Sequence, residues 1–213
     1  MRLASLTCLF LVCLLPALAL AEEPVAPAVD PGRPNIIVMV ADDLGWSDPG
    51  FRGSEIDTPS LDRLAAEGVV LSRFYTTPIC SPTRAALMTG RDPMRLGVAY
   101  GVIMPWMNTG IHPDEHFLPE TFLAVGYQTA MVGKWHLGHA LQVYHPNARG
   151  FEHFYGHLHT EVGYFPPFGN QGGKDFQHNG VSIERDGYES FILGDEVSRF
   201  IRERDSQRPF FIY

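Results

Sequence analysis

Cysteine is scarce in this chain of 213 residues: Cys8 and Cys13 sit in an apolar opening stretch, and only Cys80 lies in the body. A disulfide-stapled fold is therefore excluded, and a lone thiol in an exported protein needs a reason to be there. None of Asn35, Asn108, Asn147, Asn170 and Asn179 has Ser or Thr two residues on, so the sequence offers no N-glycosylation acceptor. Positive charge is also short, with 16 Lys and Arg against 24 Asp and Glu. That balance argues against nucleic acid or another polyanion as the main partner and leaves room for a local basic pocket. After residue 21 no apolar run is long enough to span a bilayer. Internal repeats are missing, which excludes solenoids and propellers. What remains, 45% hydrophobic and 12% aromatic, is the composition of a globular domain and not of a disordered or fibrous one.

The chain opens with Met1-Arg2, an apolar stretch from Leu3 to Leu20, and Ala19-Leu20-Ala21 ahead of Glu22. A basic start, an apolar middle and a small-x-small site predict a secretory signal peptide over residues 1–21, and hence an exported protein. Residues 22–33 read as a Pro-rich polar leader. From Pro34 the pattern changes. Asn35 to Ala41 is a continuous apolar run, expected of a central strand covered on both faces. Thr58-Pro59 and Gly68 bracket a helix, Ser81-Pro82 and Gly90 a second, and Leu118-Pro119 and Gly126 a third. Val69–Tyr75 and Tyr127–Val132 read as strands, Asp186–Arg204 as an amphipathic helix and Pro209–Tyr213 as a strand. Alternating strands and helices predict an α/β domain with a mixed, mostly parallel sheet. A chain that stops within a strand is expected to be the first part of a larger domain.

Three strings carry chemistry. In Cys80-Ser-Pro-Thr-Arg84 the proline marks a helix start and places Cys80 just ahead of it, where free backbone N–H groups and the helix dipole favour an anion. Arg84, one turn on, adds a permanently charged, forked donor. Asp42-Asp43 follows the first apolar run and falls where strands end in α/β sheets, so the two acids can offer hard oxygens to Ca²⁺ or Mg²⁺. Taken alone, an Asp-Asp pair reads as a solvated turn before it reads as a metal site. Gly133-Lys-Trp-His-Leu-Gly138 follows another strand. Lys134 and His136, two apart, share a side of an extended segment, where a Lys can neutralise an anionic substrate and a His can exchange a proton.

These blocks, in this order, resemble the sulfatase family. Ala41-Asp-Asp-Leu-Gly45, Cys80-Ser-Pro-Thr-Arg84 running on to Gly90-Arg91, and Gly133 to Gly138 match three family motifs. Residues 34–155 are most similar to the arylsulfatase B (N-acetylgalactosamine-4-sulfatase) branch. The resemblance implies an alkaline-phosphatase-like α/β fold, with residues 34–213 as the N-terminal portion of the catalytic domain and the C-terminal part missing. It implies that Cys80 is oxidised to Cα-formylglycine by a formylglycine-generating enzyme, which accounts for the lone thiol. One hydroxyl of the hydrated aldehyde would attack sulfur and release the alcohol. The other would then expel sulfate and restore the aldehyde, with His136 as base. One Ca²⁺ would be held by Asp42, Asp43 and residue 80, Arg84 would hold the formylglycine hydroxyl, and Lys134 would bind the sulfate. The implied substrate is a sulfated carbohydrate or aryl sulfate, and the implied location periplasmic or secreted, or lysosomal in a eukaryote. A further His, an Asp-Asn pair and another Lys of the family fall beyond Tyr213, so these residues alone are expected to be inactive.

Two other readings stand beside that one. A phosphatase or phosphodiesterase of the same superfamily would use similar metal-assisted chemistry, with Ser or Thr usual in place of Cys80. A non-catalytic, calcium-stabilised glycan-binding relative would keep the motifs as scaffold. The nine histidines, His153, His157 and His159 among them, match no zinc spacing and read as structural or substrate-rim residues. Trp106 and Tyr164-Phe165-Pro-Pro-Phe168 read as packing residues before sugar platforms.

Overall fold

The computed structural model describes residues 32–165, 169 and 173–213. The stretch read as a signal peptide, all but the end of the stretch read as a Pro-rich leader, and Pro166, Pro167 and Phe168 lie outside them. Six strands form one sheet: β1 (Ile36–Ile37), β2 (Gln128–Lys134), β3 (His153–His157), β4 (Phe176–His178), β5 (Val181–Ser182) and β6 (Phe210–Ile212). Their order is β1-β6-β2-β3-β4-β5. The pairs β1–β6, β6–β2 and β2–β3 are parallel, while β3–β4 and β4–β5 are antiparallel. The helices are α1 (Pro59–Glu67), α2 (Cys80–Thr89), α3 (Leu118–Ala124) and α4 (Glu189–Glu203). No helix of the described residues is long and apolar enough to cross a membrane.

Strand periodicity sorts side chains onto two faces. Phe211 of β6 and Tyr213 just after it enter the main core, with Met131, Phe151, Phe154 and Trp135, and Phe122 from α3 packed against it. Phe210 and Ile212 point the other way and, with Ala130, pack against Val197, Phe200 and Ile201 of α4. Phe211 is fully buried and stacks on Phe122 at 4.5 Å between ring centroids. Burying one such ring contributes roughly 2–3 kcal/mol. A strand covered on both faces is the reason Phe210–Ile212 reads as unbroken apolar sequence.

Three expectations need correction. The run from Asn35 to Ala41 is a two-residue edge strand and not a central one, because among the described residues it pairs only with β6. Ile37 and Met39 are consequently exposed. Val69–Tyr75 forms no strand. Val69, Leu71, Phe74 and Tyr75 lie exposed, and an extended segment with no neighbour to take its N–H and C=O groups makes no ladder. Cys80 is the first residue of α2 and not the residue before it. The bracketed helices otherwise stand. Gly68 and Gly90 close α1 and α2, with Gly90 at φ 67°. Thr58 precedes α1 without capping it, since its hydroxyl accepts from Gly50 N–H at 2.7 Å and donates to Asp62 at 2.8 Å.

Strand β3 carries no apolar alternation to announce it. It is set beside β2 by Gly156, whose register partner is Gly133. A Cβ on Gly156, where φ is 151°, would lie 2.1 Å from the Gly133 carbonyl oxygen. Gly156→Ala must therefore push two central strands apart, and is expected to destabilise the protein by about 3 kcal/mol or more in denaturant unfolding. A loss below about 1 kcal/mol would show that the strands do not meet this closely.

Candidate active site

Parallel strands deliver their carboxyl ends to one side of the sheet, and the chemistry-bearing residues meet there. Asp42 and Asp43 follow β1, Lys134 ends β2, His157 ends β3 and Tyr213 follows β6. All five, with Cys80 and Arg84 from the start of α2, line one cavity of about 890 Å³.

Arg84 is the hub. The residue is 5% exposed, and its guanidinium donates to the Lys134 carbonyl at 2.7 Å and to the Tyr213 hydroxyl at 3.0 Å. It also pairs with Asp42 at 3.3 Å. Its Nε is buried with no hydrogen-bond partner among the described residues. Lys134 donates to the same Asp42 oxygen at 2.6 Å. Burial alone would raise the Asp42 pKa, but the Lys134 hydrogen bond and the two cations outweigh it and hold the carboxyl below its ordinary value. Burial raises the Tyr213 pKa against the pull of Arg84, so the phenol keeps its proton.

His136 is fixed on all sides. Its Nε2 lies 3.2 Å from the Ile103 carbonyl and its Nδ1 3.1 Å from Cys80 Sγ. A carbonyl only accepts, so Nε2 donates and the Nδ1 lone pair faces residue 80. Ser81, fully buried, ties the parts together: its hydroxyl donates to the His136 carbonyl at 2.8 Å and accepts from Ile103 N–H at 3.3 Å. Sequence spacing placed Lys134 and His136 on one side of an extended segment. They do converge, but by another route, because His136 turns back at φ 60°.

Burial, with Lys134 and Arg84 nearby, lowers the His136 pKa to about 3. The imidazole is thus neutral at any mild pH, as a base must be. Because the folded pKa is below the unfolded value of about 6.5, the unfolded chain takes up the proton first on acidification. The stabilising contribution is complete above pH 6.5 and is lost progressively down to about pH 3. The unfolding free energy should fall by up to about 1.4 kcal/mol per pH unit from this group, and His136→Gln should flatten that slope. An unchanged slope would place the proton elsewhere.

Asp42 and Asp43 are hard oxygen donors and suit a divalent cation such as Ca²⁺. Two carboxylates are one side of a shell that takes six to eight oxygens. Among the described residues no group of three or more His, Cys, Asp or Glu is gathered. The acids fit a cation and do not enclose one by themselves.

A family model described as Sulfatase matches residues 34–213. The chain belongs to the sulfatase family. Arylsulfatase J of Mus musculus is 35% identical over 199 residues, which cover 90% of this chain and 33% of that protein. N-acetylgalactosamine-6-sulfatase of Canis lupus familiaris is 37% identical over 225 residues, covering 92% of this chain and 41% of that protein. The sulfatase chain thus spans about a third to two-fifths of the length of these relatives. Among solved structures, Ps i-CgsB in complex with k-i-k-neocarrahexaose superposes with a TM-score of 0.72 at 34% identity, over 84% of this chain and 44% of that one. BT4656 in complex with its substrate D-glucosamine-2-N,6-O-disulfate gives 0.69 at 31% identity, over 84% and 33%. The fold is the alkaline-phosphatase-like fold of the sulfatases, as the motifs implied.

Of the six residues nominated from the sequence, five line the cavity, and His136 meets them through Cys80. Sequence reading passed over Tyr213, Ser81 and the Ile103 carbonyl. Tyr213 carried a signal, since it stands just past a strand like the other site residues. Ser81 and Ile103 carried none, because a buried hydroxyl bridging two distant backbone segments has no local pattern. Of the unplaced histidines, His153 bonds Glu196 of α4 at 2.7 Å and is structural. His159 packs on His139 at 4.2 Å, and His157 lines the cavity. Trp106 is exposed.

Proposed function

We propose that the full-length protein is a sulfuric ester hydrolase that removes sulfate from a sulfated carbohydrate or aryl ester. The observation that carries the reading is the meeting of Cys80, at a helix start, with the His136 lone pair, while Arg84 and Lys134 converge on Asp42 beside them. Cys80 is the residue to be converted to Cα-formylglycine by a formylglycine-generating enzyme, and its hydrate would supply the nucleophile. Asp42, Asp43 and residue 80 would hold one side of a Ca²⁺, which supplies Lewis-acid polarisation of the ester.

The chain's own residues divide the remaining work. Arg84 has a spare buried donor, Nε, to orient a hydroxyl at position 80. Lys134 is placed to balance the sulfate charge at the end of β2. His136, neutral and with Nδ1 toward residue 80, takes the proton from that position. Preorganised charge in a partly closed cavity is the main source of rate in such a site. Residues 1–21 act in this reading as an export signal, residues 22–33 as a leader and residues 34–213 as the first part of the catalytic domain. The protein works outside the cytoplasm, periplasmic or secreted, or lysosomal in a eukaryote.

The test is mass spectrometry of the peptide containing residue 80, together with turnover of 4-nitrophenyl sulfate and 4-nitrophenyl phosphate. Expected are the formylglycine mass, preference for the sulfate ester, and loss of turnover on calcium chelation. An unmodified thiol with full sulfatase turnover would overturn the nucleophile. Preference for phosphate would support the phosphatase reading, and no turnover by modified protein the glycan-binding one.

A further inference from the structure

Beyond the groups that handle sulfate, the same cavity holds a second polar pair. His157 is the register partner of Lys134 across β2 and β3, is 4% exposed, and lines the cavity. Its Nδ1 lies 3.2 Å from the His159 carbonyl and must donate to it, because a carbonyl only accepts. That fixes the ring with Nε2 toward Glu189, whose Oε1 is 3.4 Å away. Glu189 begins α4 and also lines the cavity. At this separation the pair is not a closed hydrogen bond, and both partners keep capacity for a third group.

The neighbouring surface is aromatic. Tyr164 lines the cavity too, and its ring stacks on Tyr188 at 5.3 Å with planes 28° apart. Tyr188 is the residue before Glu189, and the Tyr164 carbonyl accepts from Glu189 N–H at 3.1 Å. The aromatic face and the carboxylate are therefore held together by this backbone hydrogen bond and the ring stacking beside it.

We infer that His157, Glu189 and Tyr164 form a subsite for the hydroxylated ring of a sulfated pyranose, with its sulfate at Lys134. With Nδ1 holding the proton that goes to the His159 carbonyl, the Nε2 lone pair and the Glu189 carboxylate both accept, so two neighbouring hydroxyls of the ring, one donating to each, fit this end. The C–H face of a pyranose fits a tyrosine ring. A carboxylate at this end, in a cavity that Glu161 also lines, disfavours a second anionic substituent there and favours neutral hydroxyls. The inference rests on the sulfatase reading and names which part of the substrate this chain recognises.

The experiment compares full-length wild type with Glu189→Gln, His157→Gln and Tyr164→Ala on galactose 6-sulfate, N-acetylgalactosamine 6-sulfate and 4-nitrophenyl sulfate. The quantity read is the ratio of kcat/KM for sugar sulfate to that for the aryl ester. It should fall at least tenfold in each variant for one or both sugars, chiefly through KM. Tyr164 is exposed and needed for no core contact, so its variant guards against a buried substitution that only unfolds the protein. Parallel losses on all substrates, or an unchanged ratio in all three variants, overturn the subsite. Wild type inert toward every ester would instead defeat the sulfatase reading beneath it.

Discussion

Cys80→Ala in the full-length protein is expected to remove sulfate ester hydrolysis, by a factor on the order of 10⁴ or more, while leaving the fold in place. The thiol meets the His136 ring at 3.1 Å, and the residue is only partly buried. Alanine suits the first turn of α2 at least as well as cysteine does. The stability change should therefore stay within about 1 kcal/mol by denaturant unfolding. Residual turnover above a hundredth of wild type would mean that residue 80 is not the attacking group. A collapse of the fold in step with activity would give Cys80 a structural role instead.

Arg84→Met should lower both stability and activity. Removing the guanidinium strips the Lys134 carbonyl and the Tyr213 hydroxyl of their donor inside the core and takes one of two cations from Asp42. Most of the expected loss, about 2–4 kcal/mol, comes from these two hydrogen bonds, one buried and one part-buried. Asp42 is 38% exposed on its side chain, so water screens that half of the ion pair and its share is small. Arg84→Lys should recover little, because one ammonium cannot reach partners at 2.7, 3.0 and 3.3 Å on three sides as a planar fork does. Denaturant unfolding of both variants checks this. A lysine variant as stable as wild type would show that charge alone matters at this position.

The helix boundaries were readable because their signals are local. Pro59, Pro82 and Pro119 sit at helix starts since a missing N–H costs nothing there, and Gly90 closes α2 at a positive φ that other residues adopt at a cost. Strands were harder. Val69–Tyr75 has the composition of a strand, but a strand exists only through its neighbour, and none of the described residues pairs with it. In β3 the reverse holds. His153-Phe-Tyr-Gly-His157 looks unpromising, yet Gly133 and Gly156 let it lie against β2.

For the site, residue type and spacing offered Asp42, Asp43, Cys80, Arg84, Lys134 and His136 as candidates, but an acid pair, a Lys or a His after a strand is as ordinary in a solvated turn or a packed loop, and only the three motifs together, through their likeness to a family, singled these residues out. Sequence alone also carried the α/β class, through alternating patterns that depend only on which face of each element is buried. The tertiary structure decided everything that depends on distance through space: that parallel β1, β6, β2 and β3 bring their ends to one cavity, that Arg84 and Lys134 share Asp42, that Ser81 and Ile103 aim His136, and that His157 faces Glu189. Those pairs lie tens of residues apart along the chain, so only the sheet order, set by packing Phe211 and its neighbours on one face and α4 on the other, could bring them into contact.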